Sequence, residues 1–382
     1  MASEGAEDFD EINDTLYSQG ATDGLPIVPP TEERVEEMLR GTDLPRDHEI
    51  GTLGNREGSL TVEKLATNAV MAGCRPIHMP VLVAGAEALA DSEANTIQSS
   101  VSTGSWAYLW IVNGPIREAL DVQSATNAFG PGYRGNGTIG RALGLAYKNA
   151  AQLLPGEKDM GVLGSPFKFS LVAGENEEQS PWEPYHVSAG FDEAESTITF
   201  GAPNSYAYAN PFEMDVKGII RGLVKNPPPS MVGYEGQSVR KEVFYFLPPY
   251  NAEELHDAGL SKEDVREYIY ENAVLPDYKY HEGIISADVE RDEYQYRKRL
   301  QSFIRFLKDR DITIVVTRTV PGASEGSVAV QTDIASLSDG IINLSLEGSE
   351  RRIAIQKHRG VGQRHGTHGL EIRDQGIEVF PQ

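Results

Sequence analysis

The sequence contains a single cysteine, Cys74, in 382 residues. One thiol can form neither an internal disulfide nor a cysteine-rich zinc site. No apolar run reaches the length of about 18 residues that a membrane helix requires, so we expect no membrane segment. The opening stretch "MASEGAEDFDEIND" is acidic and no apolar stretch follows it. These features predict that there is no secretory signal and that the protein is cytoplasmic.

Positive charge is also scarce. The chain has 34 Lys and Arg residues against 57 Asp and Glu residues, which gives a net charge of −23. Such a surface repels phosphate backbones and argues against a nucleic-acid partner. The acidic excess is typical of proteins that stay soluble in concentrated salt, and it favours a salt-adapted, archaeal source. Apolar residues make up 40% of the chain, which is enough for a folded core.

No cofactor fingerprint is complete, and the nearest one is the glycine-rich stretch "FGPGYRGNGTIGRAL". This stretch, residues 129–143, is called the glycine segment below. It carries Arg141 and Ala142 where a nucleotide phosphate loop has Lys and a hydroxyl residue, so a phosphate loop is disfavoured. A small carboxylate or phosphate could instead bind at a helix N-terminus near Thr138, helped by Arg134 and Arg141. The alternative is a glycine-rich turn that packs a helix on a sheet.

Periodicity predicts an α/β fold with a mostly buried sheet. Helical patterns run over residues 31–41, 60–73 and 138–154, and a strand buried on both faces runs over 106–112. Further strands are expected in "FKFSLVAG", "STITFG" and "EVFYFLPPY". We predict an acidic flexible N-terminus over 1–24, an α/β domain over 25–285, and a C-terminal segment over 286–382 that contains a helix, a strand and a β-meander.

Polar residues follow two of the predicted strands. Asn113 ends the first strand, Glu175 and Glu177 follow the second, and His186 lies in the loop after them. Ligands of open α/β sheets bind at the carboxyl ends of strands. His186 with Glu175 or Glu177 is therefore a candidate acid–base pair. Ordinary turn chemistry is the alternative. No spacing typical of a metal site is present, so we predict no metal.

Cys74 directly follows the second predicted helix. The negative end of the helix dipole raises the pKa of a thiol, whereas Arg75 and His78 lower it. The residue is either a reactive thiol or a small buried hydrophobe. The predicted catalytic residues are Cys74, His186, Glu175 and Glu177. The predicted anion-binding residues are Asn113, Asn127, Gly130, Arg134, Asn136, Thr138 and Arg141.

Basic residues gather in "QKHRGVGQRHGTHG" near the end of the acidic chain. Residues 292–382 resemble the C-terminal part of a KaiC/RadA-type RecA-fold ATPase domain. The resemblance lies in "YQYRKRLQSFIRFLKDRDITIVVTRT", "SDGIINLSLEGSERRIAIQKHRG" and "EIRDQGIEVFP". In that family a K-x-R-G turn reaches a neighbouring subunit's ATP, and Lys357 and Arg359 match it. Walker A and Walker B motifs are missing, so the resemblance implies ATP only at a shared interface and no hydrolysis by this chain alone.

Residues 15–280 are similar to a poorly characterised family associated with UGSC-motif (seleno)proteins. The similarity lies in "DGLPIVPPT", "NAVMAGCRP", "VNGPI", "NAFGPGYRGNGTIGRAL", "DMGVLGSPFKF", "ENEEQSPWEPYHV" and "GLSKEDVREYI". The resemblance implies a functional Cys74. The chain departs from the family pattern at Asn251, where a His is expected, which puts one polar role in doubt.

Three interpretations follow. The first is a small-molecule enzyme acting on an anionic carboxylate or phosphate substrate, thiol-dependent or redox-linked through Cys74. The second is a nucleotide-linked regulator or partner of a KaiC-like ATPase that offers Lys357 and Arg359 in trans to ATP. In the third, the C-terminal segment is a fusion relic without chemistry. The expected partners are a small anionic substrate, a UGSC-type protein or a KaiC-like ATPase, and further copies of the chain in a homo-oligomer.

Overall fold

The computed structural model describes residues 4–54, 58–94, 96–206, 215–225 and 242–272, and five later strands between 311 and 381. The chain divides into an N-terminal unit, Met1–Arg318, and a C-terminal unit, Thr319–Gln382. The predicted boundary near residue 285 lies earlier than this division. In the described residues, no helix combines the length and the apolar character needed to cross a membrane.

The N-terminal unit contains all the described helices. They are α1 (Glu4–Ser18), α2 (Glu32–Leu39), α3 (Val62–Ala72), α4 (Met79–Ala90), α5 (Thr96–Val101), α6 (Ile116–Ala119), α7 (Arg134–Ala151), α8 (Tyr185–Ser188), α9 (Val216–Lys225), α10 (Pro249–Asp257) and α11 (Lys262–Asn272).

The strands form small sheets in a mixed α/β arrangement. The strands are β1 (Glu49–Leu53), β2 (Gly58–Thr61), β3 (Leu109–Asn113), β4 (Val172–Gly174), β5 (Thr197–Gly201), β6 (Glu242–Leu247), β7 (Asp311–Val316), β8 (Gly340–Glu347), β9 (Glu350–His358), β10 (Thr367–Arg373) and β11 (Gly376–Pro381). Within the N-terminal unit β1 pairs with β2, β3 lies between β4 and β5, and β6 pairs in parallel with β7. The C-terminal unit contains one antiparallel sheet in the order β11-β10-β9-β8.

Local signals set the helix ends largely where the sequence predicts them. Thr31 and Thr61 accept N–H groups of the first turns of α2 and α3, and Gly73 ends α3 at φ 87°. Ser261 and Asp264 form a capping box before α11, with the Asp264 N–H 3.1 Å from Ser261 Oγ. The stretch that begins at Met79, whose pattern allows a strand or a helix, is helical, in keeping with its Ala, Glu and Leu content.

A β-α-β unit lies at the centre of the N-terminal unit. The strands β3 and β4 are parallel neighbours, with Trp110 opposite Val172, and α7 connects them. All five residues of β3 are buried, as expected for a strand covered on both faces. The core around this unit contains Trp110, Ile139, Leu143 and Tyr147. Consequently the carboxyl ends of β3 and β4 lie side by side at one edge of the sheet.

Three predictions of local structure need correction, and two more lie outside the described residues. Helix α7 begins at Arg134, four residues before the predicted start, and only the last part of "FKFSLVAG" is a strand. The N-terminal stretch predicted to be flexible contains the 15-residue helix α1. Its Asn13 accepts the Ile27 N–H at 2.7 Å, which ties the helix to the following chain. The sequence also favours an exposed loop in "KNPPPSMVGYEGQ" and places the helix of the C-terminal segment over 292–309. The residues of this loop beyond Lys225 and the whole of this helix lie outside the described residues.

Candidate active site at the carboxyl ends of β3 and β4

Four predicted site residues meet at this edge of the sheet. Asn113 is the last residue of β3, and Glu175 directly follows β4. Asn113 Nδ2 lies 2.6 Å from Glu175 Oε2 and 2.9 Å from Glu177 Oε1. His186 Nδ1 lies 3.9 Å from Glu177 Oε1. We call Asn113, Glu175, Glu177 and His186 the strand-end cluster.

Two cations that the sequence analysis did not identify neutralise the carboxylates of this cluster. Arg117 Nη2 lies 2.9 Å from Glu177 Oε2 and 2.7 Å from Glu178 Oε1. Lys262 Nζ lies 3.0 Å from Glu175 Oε1. Arg117 follows β3 by only four residues, so its position after a buried strand was an available signal. Lys262 is 87 residues away from Glu175 along the chain, and no local pattern indicates the pairing.

Glu175 is the most buried charge in the cluster, with 0% of its surface exposed. Its carboxylate accepts hydrogen bonds from Asn113, from the Tyr185 N–H at 2.7 Å and from Lys262. A buried carboxylate is stable when it is paired and hydrogen-bonded in this way. Nearby, the hydrogen bond from Arg117 lowers the pKa of Glu178 below its ordinary value.

Glu177 is held by donors on three sides. Besides the Arg117 ion pair and Asn113, the Gly114 N–H donates to its Oε1 at 2.8 Å. The carboxylate therefore acts as a fixed acceptor beside His186. Because 3.9 Å exceeds hydrogen-bond length, the imidazole and Glu177 are neighbours without a direct hydrogen bond.

His186 and Asn113 carry the unsatisfied polar atoms of the cluster. His186 is 1% exposed, yet neither ring nitrogen has a hydrogen-bond partner among the described residues. The same holds for Asn113 Oδ1, although Asn113 is fully buried. Buried polar atoms are nearly always paired, so each exception requires an explanation such as a ligand or a water molecule.

The start of α7 lies close to this edge. The Gln123 N–H donates to Asn136 Oδ1 at 2.7 Å, and the Gln123 carbonyl accepts from the Gly174 N–H at 3.1 Å. A single loop residue thus joins the first turn of α7 to the end of β4. Tyr133 precedes the helix without providing a side-chain cap, so the first N–H groups of α7 donate to no side-chain atom of that residue.

Most of the glycine segment serves packing. A Cβ on Gly135 would come within 2.6 Å of the Leu120 carbonyl oxygen, and one on Gly140 within 2.5 Å of Ser170 Oγ. Asn136 uses its whole amide within the protein: Nδ2 donates to the carbonyls of Gln123, Ala128 and Val172, and Oδ1 accepts from Gln123. The packing interpretation therefore accounts for these positions.

Arg141 and Arg134, which we predicted to act together, differ in their surroundings. Arg141 forms a two-point ion pair with Asp23, at 2.7 and 2.9 Å, and donates to the Pro26 carbonyl. These bonds tie the chain after α1 to α7 and occupy the guanidinium. The Arg134 side chain at the helix start is exposed and has no partner in the described part of the chain.

The other predicted anion-binding residues shape the turn before α7 and its first helical turn. Asn127 has φ 65°, and its Nδ2 donates to the Pro131 carbonyl at 3.0 Å. The Gly130 N–H donates to the Asn127 carbonyl at 2.8 Å. Thr138 Oγ1 donates to the Arg134 carbonyl. Asn127 and Thr138 therefore use these donors in hydrogen bonds to nearby backbone carbonyls.

Cys74 has the environment of a structural thiol. It packs against the hydrophobic core, and its Sγ lies 3.4 Å from the Thr138 carbonyl oxygen. Burial raises the pKa of Cys74 to about 12, and the opposing effects of Thr138, Arg134 and Arg141 are smaller. A thiol with this pKa is neutral at pH 7 and is a poor nucleophile. This finding argues against the predicted nucleophilic role and favours the buried-hydrophobe interpretation.

Two further predictions concern metal and nucleotide binding. Among the described residues, no three His, Cys, Asp or Glu side chains come together in a way that could hold a metal ion. Lys357 lies in β9, where it is opposite Ile341 of β8. Arg359 lies outside the described residues.

The fold and this geometry define a mixed α/β protein with a polar cluster at the carboxyl edge of a β-α-β unit. Residues 283–382 match the family model of the KaiC ATPase. This match covers about a quarter of the chain, so it concerns that segment alone. It supports the KaiC-like part of the predicted resemblance, whereas the UGSC-associated resemblance of residues 15–280 stays a prediction. No curated protein matches the chain.

Proposed function

We propose that the N-terminal unit is an enzyme that acts on a small anionic molecule at the strand-end cluster. The observation that carries the proposal is the buried His186, whose ring nitrogens have no partner among the described residues. Keeping polar atoms buried and unpaired costs stability, on the order of 1–3 kcal/mol for each group. Proteins usually keep such destabilising buried polar groups where they bind a ligand.

The residues of the strand-end cluster have different chemical roles. Glu177 is already an acceptor for Arg117, Asn113 and Gly114, so it orients and stabilises charge. His186 is then the group that accepts or donates the proton. Asn113 Oδ1 accepts a hydrogen bond from the substrate, which therefore carries a hydroxyl or N–H group beside its anionic group.

The anionic group of the substrate binds at the start of α7. Arg134 contributes an exposed guanidinium there, and the first N–H groups of an 18-residue helix favour negative charge. The Gln123 bridge keeps this helix start beside the end of β4. A small carboxylate or phosphate ester suits both features. The thiol is not needed for this chemistry.

Thermal unfolding with a panel of hydroxycarboxylates, inorganic phosphate and ATP–magnesium tests the proposal. A ligand at a hundred times its Kd should stabilise the protein by about 2.7 kcal/mol. We expect one of the small anions to do so, and we expect His186→Phe and Arg134→Ala to abolish the effect. Arg40→Ala removes an exposed arginine at the end of α2 and is the charge-matched control. Stabilisation that persists in both site variants would overturn the proposal.

A second function is favoured by the family match at residues 283–382. The sequence contains no G-x-x-x-x-G-K-[ST] loop, so this segment would contact a nucleotide bound by another chain. We propose that Lys357 and Arg359 approach ATP in trans, within an assembly with a complete KaiC-like ATPase or further copies of this chain. Adding the protein to such an ATPase should change its hydrolysis rate, and Lys357→Ala should remove the change. An unaltered rate with the wild-type protein would reject this function.

A further inference from the structure

A cavity of about 370 Å³ lies at the opposite edge of the β-α-β unit from the strand-end cluster. Its lining includes Trp106, Ala107 and Tyr108, which precede β3, and Ser170, which precedes β4. The second half of α7 forms one wall. The volume falls within the range of small-molecule sites, about 300–1,000 Å³.

Aromatic rings and glycines form the walls of this cavity. The aromatic residues are Trp106, Tyr108, Tyr147, Phe167 and Phe169. Their polar tips have partners within the protein, since Trp106 Nε1 donates to Ser102 Oγ at 3.1 Å and the Tyr108 hydroxyl lies 3.3 Å from Ser99 Oγ. The remaining ring surface is apolar and suits a flat apolar ligand.

Among the described residues that line the cavity, the positive side chains outnumber the negative ones by one. Arg141 pairs with Asp23, and Lys168 pairs with Asp159 at 2.6 Å. Lys148 also lines the cavity, but it forms no ion pair in the part of the chain that the structure describes, and its ammonium donates to the Gly20 carbonyl. Partial burial lowers the pKa of Lys148, and the charge of Asp23, which is bonded to Arg141, opposes this shift only in part. A single anionic group on a ligand would complete this balance.

We propose that the cavity is a binding site for a planar apolar molecule that carries one negative charge, such as an aromatic carboxylate. The ring lies between the aromatic walls, and the carboxylate faces Lys148. The protein carries a net charge of −23, so its overall field repels anions. A preference for the anion must therefore come from the cavity itself. This site is separate from the proposed active site and does not depend on its function.

Calorimetric titration of the full chain with 2-naphthoate and with neutral 2-naphthalenemethanol tests the proposal. We expect 2-naphthoate to bind at least tenfold more tightly than the alcohol, and Lys148→Met to bring the two within about threefold of each other. Lys64→Met is the matched control, because Lys64 on α3 also donates to a backbone carbonyl and does not line the cavity. Equal binding of the two probes to the wild-type protein would overturn the assigned ligand class.

The location is tested by filling the cavity. A Cβ on Gly144 makes only an ordinary contact, 3.5 Å from the Lys168 carbonyl oxygen, so Gly144→Leu places its side chain in the cavity without a backbone clash. We expect this variant to lose both probes, whereas Gly137→Leu, on the same helix but outside the cavity lining, should bind them as the wild type does. Binding that survives Gly144→Leu would overturn the location.

A spectroscopic measurement covers the case in which Gly144→Leu fails to fold. Bound 2-naphthoate should change the tryptophan emission of the wild-type protein, and the change should disappear in Trp106→Phe. Persistence of the full change in Trp106→Phe, or no binding of either probe to the wild type, would also overturn the proposal. If no small anion stabilises the wild-type protein, or if the stabilisation persists in Arg134→Ala, while 2-naphthoate still binds, the proposed function fails and this site is unaffected.

Discussion

The strand-end cluster and the glycine segment both look like ligand sites in the sequence, yet the fold uses them differently. In the glycine segment, Asn136 is fully bonded within the protein and Arg141 is paired with Asp23. In the strand-end cluster the charges are paired, but His186 and Asn113 keep polar atoms without partners among the described residues. The contrast shows that glycine and arginine residues in such a segment can serve packing, and we propose that the unpartnered atoms of the cluster mark a ligand site.

The largest expected effect comes from removing the central carboxylate of the strand-end cluster. Glu175→Ala should lower the free energy of unfolding by about 3–5 kcal/mol, because it leaves the ammonium of Lys262 without its buried partner. Glu178→Ala removes a half-exposed carboxylate from the buried Arg117, which keeps its ion pair with Glu177, and should cost less than about 1 kcal/mol. Urea unfolding of both variants measures the difference. Similar losses in the two would show that burial does not control the cluster's contribution to stability.

The next effect tests whether the glycine segment has a structural role. Asn136→Ala should cost about 3 kcal/mol, because it leaves several buried backbone groups without partners. Asn127→Gly, at an exposed position with positive φ, should cost less than about 1 kcal/mol. The measurement is again urea unfolding. A mild Asn136→Ala variant that loses ligand binding would instead assign Asn136 to the site.

Paired glycine substitutions within α7 sharpen the same point. Gly135→Ala should destabilise the protein by about 1–3 kcal/mol, because the new methyl group meets backbone carbonyls that cannot move aside cheaply. Gly137→Ala meets no atom within 4 Å and should stabilise the helix by about 0.5–1 kcal/mol. Melting temperatures of the two variants should therefore shift in opposite directions. Shifts of the same sign would contradict the packing role of Gly135.

His186→Phe should separate function from stability. Phenylalanine keeps a buried ring and removes two nitrogens that have no partner within the described ranges, so the free energy of unfolding should stay the same or rise by about 1 kcal/mol. Binding of the small anion should be lost in the same variant. A strongly destabilised His186→Phe variant would mean that the imidazole is held by structural bonds.

The smallest effect at neutral pH concerns Cys74. With a pKa of about 12 in the folded protein, its alkylation by iodoacetamide should be very slow at pH 7 and accelerate as the pH rises towards 12. The neutral thiol contributes stability that is fully present below the unfolded pKa of about 8.5 and is lost as the pH rises through the folded value. The unfolding free energy should therefore fall less above pH 9 in Cys74→Ala than in the wild type. Rapid alkylation of the folded protein at pH 7 would restore the reactive-thiol interpretation.

The sequence by itself determined the features that depend on neighbours a few residues away. Helix α3, with its capping residues Thr61 and Gly73, and the buried strand β3 follow from short-range periodicity and capping chemistry. The polar residues after β3 and β4 were also predictable, because strand order and direction bring such ends together. These signals are local, and each acts within one or two turns or one strand.

Only the tertiary structure decided which of the candidate groups are paired and which remain unpaired. Arg141 meets Asp23 across 118 residues, and Lys262 meets Glu175 across 87. The cavity beside α7 depends on several separate stretches packing together. Desolvation likewise decided the state of Cys74, because its pKa depends on burial and not on its position after a helix. Pairing, cavity volume and desolvation arise from distant parts of the chain, and a linear pattern does not encode them.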